Sequence, residues 1–239
     1  MKISTRLKAD LILLLVAAVW GGGFSAQRMA SEHLGPFMFN AARLALGALL
    51  LLPFALRAGG LRKSQWGLTA AAGTMLFAAS AFQQAGVSTT TAGNAGFLTG
   101  LYVVFTPMLL SLVWRRRIAP AVWAAAGLSV VGIYLLSTAG RFVPNAGDAL
   151  VLVGAVFWAL HVIIVGRAAE SLPVIPFAVG QYGVAAALNL VISLFIERGQ
   201  LGGLLPAFGP ILYTGIFSIA IGFTRSEEHT SELQSLRHL

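Results

Sequence analysis

Three polar side chains, Arg43, His161 and Gln181, sit where the surrounding sequence is apolar. Arg43 is a permanent cation whose planar fork matches a carboxylate or a phosphate. It falls about six residues into its apolar run, roughly 9 Å from the start of a helix. At that depth it either attracts an anionic ligand or bonds helix carbonyls and reaches back to the polar surface. His161 is the one side chain in the apolar interior whose ordinary pKa lies near neutrality. It suits proton transfer, ligand hydrogen bonding, or a plain bond to a neighbouring helix. Trp20 and Trp158 could line a cavity or simply pack. Gln83, Asn94, Thr99, Tyr102, Asn189 and Tyr213 are further polar groups at depth, able to join helices or to face a ligand. The candidate binding set is Arg43, His161, Gln181, Trp20, Asn94 and Tyr102.

Other chemistries lack their parts. An enzyme would need a carboxylate pair, a metal cluster, or a nucleophile with its base. His33 and His161 are far apart, with no ligand-spaced carboxylates beside them, and no phosphate-binding GxxxxGK[ST] loop occurs. No catalytic residue, metal or cofactor is expected. The absence of cysteine removes disulfides and thiolate ligands. Before the last fifteen residues, the carboxylates are Asp10, Glu32, Asp148, Glu170 and Glu197. Each lies near the end of a run, so none is expected to be buried as a proton carrier.

The elements that must position these groups follow from composition. Of 239 residues, 57% are hydrophobic and 10% charged, and the mean hydropathy is +0.83. So few charges cannot cover that much apolar surface in water. About 20 apolar residues span a bilayer as a helix. Eight such runs are predicted, near 11–30, 37–57, 66–85, 92–113, 121–138, 147–166, 174–196 and 208–224. Pro36, Pro120, Pro144, Pro173 and Pro206 mark the breaks. The expected class is therefore an all-α, polytopic transmembrane bundle. No gap holds a soluble domain, so any site lies inside the bundle.

The net charge of +8 would suit a nucleic-acid partner in a soluble protein, but here it is grouped in short loops. Lys2, Arg6, Lys8, Arg57, Arg62, Lys63, Arg115, Arg116, Arg117 and Arg167 fall on one side, against Arg28, Arg141 and Arg198 on the other. The richer side is expected to face the cytoplasm, which puts the N-terminus inside. The basic start and first apolar run are read as an uncleaved first helix rather than a signal peptide. Gly93, Gly96 and Gly100 cluster at one helix start, where a GxxxG pattern permits close helix approach.

The chain also resembles itself. Aligning Trp20 with Trp158 gives an offset of 138, which also pairs Ala30 with Ala168, Glu32 with Glu170, Leu34 with Leu172, Phe39 with Phe177, and Arg43 with Gln181. The sixth run then repeats the first. A five-helix unit, being odd, is inverted in its second copy, and inverted repeats place a site at their interface near mid-bilayer. The expected division is residues 1–140, a first five-helix repeat; 141–224, an incomplete second repeat of about three helices; and 225–239, a non-native tail. Arg225-Ser-Glu-Glu-His-Thr-Ser-Glu-Leu-Gln-Ser235 is unlike everything before it and resembles a translated sequencing-library adapter. On that reading, the sequence is the front of a longer product and is expected to be inactive alone.

Several segments resemble the drug/metabolite transporter superfamily, EamA-type. These are Ala18-Val-Trp-Gly-Gly-Gly-Phe, Ala42-Arg-Leu with Leu49-Leu-Leu-Leu-Pro, Thr91 through Val104, Trp123 through Tyr134, and Phe157-Trp-Ala-Leu-His. Arg115–Arg117 departs from the Gly-Glu pair of many members. The resemblance implies ten helices in two inverted halves and outward movement of small organic metabolites by alternating access. It further implies a multi-pass protein of the bacterial inner membrane whose partners are the bilayer and a small metabolite. A homodimer is compatible with the sequence. The competing reading is a helical membrane scaffold or accessory subunit without transport.

Overall fold

The computed structural model describes residues 5–138, 143–198 and 200–223. Its long elements are all helical: α1 (Thr5–Ala30), α2 (Pro36–Arg57), α3 (Trp66–Val87), α4 (Ala92–Gly100), α5 (Tyr102–Leu112), α6 (Pro120–Thr138), α7 (Ala146–Ala168), α8 (Val174–Ile196) and α9 (Phe208–Leu212). Only Leu101 separates α4 from α5, and α9 continues directly into a π-helix, Tyr213–Phe223. Counted as continuous rods these are eight segments, with bounds close to the eight predicted runs. Helix is the form expected of such runs, because it satisfies every backbone group internally where water is absent.

Local chemistry sets the ends. Pro36 opens α2, where its missing N–H costs nothing. Gly59 and Gly60, at φ +87° and +67°, turn the chain after α2. Thr91 caps α4 by accepting from the Asn94 N–H at 3.0 Å. Asn145 and Asp148 form a reciprocal capping box on α7. The segments 36–57, 92–112, 146–168 and 174–196 are each long and apolar enough to cross a membrane.

The bundle has the distribution of a membrane protein. Large apolar side chains such as Leu49, Leu56, Leu128, Leu194 and Phe195 point outward. Alanine, glycine and amides fill the inside. α2 packs along α8, and α3 packs along α7. Small residues allow the close fit: a Cβ on Gly86 of α3 would fall 2.5 Å from the Gly147 carbonyl oxygen of α7. Of the predicted glycine cluster, Gly96 and Gly100 both line a cavity, and Gly100 also meets Ile133 of α6.

Candidate functional site

That cavity has a volume of about 330 Å³ and lies within the bundle. It is lined by α1, α2, α3, α4, the first residue of α5, α7 and the π-helix. Four of the six candidate residues line it: Trp20, Arg43, Tyr102 and His161. Gln181 lies behind the wall and holds His161, with His161 Nε2 2.8 Å from Gln181 Oε1. The edge of the Trp158 ring packs on His161, centroids 5.7 Å apart.

Asn94 is not part of this wall. Its backbone N–H is capped by Thr91, and its Nδ2 donates to the Val143 carbonyl at 3.1 Å. The side-chain bond pins the chain at Val143 to the start of α4. Gln83 and Thr99, weaker candidates by sequence, do line the cavity and bond each other at 2.9 Å.

Arg43 is 6% exposed. Its Nε donates to Asn40 Oδ1 at 2.9 Å, and its guanidinium carbon stands 5.2 Å from the Phe39 ring centroid. Asn40 is wholly buried and donates through Nδ2 to the Ser80 carbonyl of α3 at 2.9 Å. Sequence reasoning missed Asn40. The available signal was its place three residues before Arg43, on the same helix face.

The expectation that no carboxylate is buried is corrected. Asp148 and Glu197 are each 7% exposed. Both sit at helix ends and are taken up by hydrogen bonds rather than facing the cavity. Asp148 accepts from Thr90 Oγ1 at 2.6 Å and from the Asn145 N–H at 2.7 Å. Glu197, following α8, accepts from the N–H groups of Phe37 (2.9 Å) and Met38 (2.7 Å) at the start of α2.

α2 begins at Pro36 and α8 at Val174, 138 residues apart. Trp20 and Trp158 both line the cavity, as do Gly23 and His161, which share that spacing. The EamA-like transporter family model matches residues 7–138 and 145–225. The chain belongs to the EamA-like transporter family. Two relatives from Archaeoglobus fulgidus are each described as an uncharacterized transporter. One is 35% identical over 162 residues, covering 68% of this chain and 50% of its own length. The other is 30% identical over 190 residues, covering 72% and 64%. The chain thus spans half to just under two thirds of the length of these curated relatives. One solved crystal structure shares the fold, with a TM-score of 0.70 at 19% identity over 94% of this chain and 79% of that one.

Membership in the EamA-like family makes this a multi-pass membrane protein of a transporter family. Its outward-facing leucines and phenylalanines are then the lipid-facing surface, and the cavity lies among the helices of the EamA-like bundle. A single fixed cation in an otherwise largely apolar chamber can hold an anion, and the hydroxyls and amides around it can orient a polar group.

Proposed function

We propose that this protein is a secondary transporter that moves small organic metabolites across the cytoplasmic membrane, outward, by alternating access. The observation that carries the reading is the cavity of about 330 Å³ lined by helices of both proposed repeats, with Arg43 and His161 on its wall. A packed scaffold has no need of a chamber holding a charge at membrane depth, where ionisable groups are costly. The proposed repeats, residues 1–140 and 141–224, supply paired helices, α1 with α7 and α2 with α8, that can rock about the cavity. Sliding along the α2–α8 contact would open one end while closing the other. The N-terminus is assigned to the cytoplasm from the loop charges. The test is reconstitution into liposomes of the protein expressed from its source gene. Saturable solute counterflow is expected. A scaffold or accessory subunit would give none over a wide solute panel.

A further inference from the structure

Resting on that reading, we propose that the cavity selects small organic monoanions, carboxylates with an apolar body, and that Asn40 and Phe39 set Arg43 to receive the carboxylate on its terminal nitrogens.

The first argument is charge. Arg43 is the one permanently charged residue on the wall, and neither Asp nor Glu lines it. The two buried carboxylates among the described residues are held elsewhere, Asp148 by Thr90 and Asn145, and Glu197 by the α2 N-terminus. A guanidinium 6% exposed inside a membrane bundle needs an anion, and among the described residues no carboxylate meets it.

The second argument is direction. Nε is occupied by Asn40 Oδ1, and one face of the group rests over Phe39. Asn40 cannot turn its amide without losing both the Arg43 bond and its own bond to Ser80. The Nη1/Nη2 fork is therefore the edge presented to a ligand. Two parallel N–H···O bonds to one carboxylate suit that edge.

The third argument is exclusion. A phosphate monoester or a dicarboxylate would bring a second negative charge with no second cation to meet it. An amino acid would bring an ammonium with no wall carboxylate. Leu44, Leu76, Val162, Val165 and Ile219 supply an apolar surface for the rest of the molecule. Neutral competitors can use the hydroxyls and amides of the wall, Tyr102 and Thr99 among them, but bring no charge to meet Arg43. The volume is at the small end of ligand pockets, which run from about 300 to 1,000 Å³.

The experiment separates binding from transport. Trp20 and Trp158 line the cavity, so their fluorescence reports occupancy. The protein expressed from its source gene is titrated in nanodiscs with hydrocinnamate and isocaproate, their amides, phenylalanine, leucine and phenethylamine, and flux of the same compounds is followed in liposomes. Saturable quenching by the two acids is expected, at least about tenfold tighter than by any other compound. Arg43→Gln should weaken it by about tenfold to a hundredfold. Asn40→Asp is the decisive variant. It places a carboxylate against the guanidinium, so it should keep or raise the thermal midpoint while abolishing acid binding. Acid binding unchanged in Asn40→Asp, or an amine or amino acid bound tighter than the acids, overturns the proposal. Arg43-dependent acid binding without flux upholds the anion site and sinks the transporter reading instead. Saturable flux of amines or amino acids with no acid binding does the reverse.

Discussion

His161 and Gln181 are joined by a 2.8 Å hydrogen bond with both side chains buried. Removing either partner breaks this buried bond, at about 0.5 to 1.5 kcal/mol. His161→Ala and Gln181→Ala should therefore each lower the thermal midpoint, and the double variant should fall short of the sum. Additive losses would show that the bond contributes nothing. Arg43 and His161 were legible in the sequence because a charge and an imidazole stand out in an apolar run. Gln181 was legible only through the repeat offset. Asn40 was not, since an amide near a helix start reads as a cap or a surface residue until Ser80, from another helix, is seen to hold it. Asn94 was misplaced for the converse reason: it sits in the first turn of a helix, where capping takes its backbone and a loop takes its side chain.

Helix bounds were legible because proline and glycine mark them physically, as at Pro36, Pro120 and Gly59. The break at Leu101 and the π-winding of Tyr213–Phe223 were not, and the π-helix is held by tertiary contacts. Tyr213 Oη bonds the Val19 carbonyl at 3.0 Å, and Trp20 Nε1 bonds the Ser218 carbonyl at 3.2 Å, tying α1 to the π-helix. The buried carboxylates were hidden for the same reason. Glu197 lies 159 residues from Met38, yet it satisfies the first-turn N–H groups of α2, with Gln200 accepting from Gly35 beside it. Loss of an N-terminal cap costs about 1 to 2 kcal/mol. Glu197→Ala should lower the thermal midpoint by that measure, and Glu197→Gln, which keeps one acceptor oxygen, by less. Equal midpoints for Glu197→Ala and the parent protein would show that α2 is capped in another way. A bulkier change tests the α3–α7 contact. Gly86→Leu pushes a side chain into the Gly147 carbonyl and Val151, so well-folded protein should fall sharply in size-exclusion profiles, while Gly127→Leu, facing open space, should not matter.

At the scale of the molecule, the proposed inversion turns on a count of crossings. Glu32 and Glu170 stand at equivalent places under the offset of 138, one between α1 and α2 and the other between α7 and α8. Between them the chain runs through α2, α3, the α4–α5 rod, α6 and α7. Five crossings put the two residues on opposite faces of the membrane. If the break at Leu101 instead returned the chain to the face it came from, the count would be four, and both would share a face. These 239 residues hold no cysteine, so single cysteines introduced at these exposed positions can be labelled without background from them. Under the loop-charge argument, Glu32→Cys should react with a membrane-impermeant maleimide added to intact cells. Glu170→Cys and Ser64→Cys should react only after the membrane is opened. Labelling of Glu32→Cys and Glu170→Cys from the same side would end the inverted-repeat argument and, with it, the pairing of Arg43 with Gln181. Opposite sides with the order reversed would keep the repeat and overturn only the cytoplasmic N-terminus. The two outcomes separate what the spacing of residues supports from what the distribution of Lys and Arg supports.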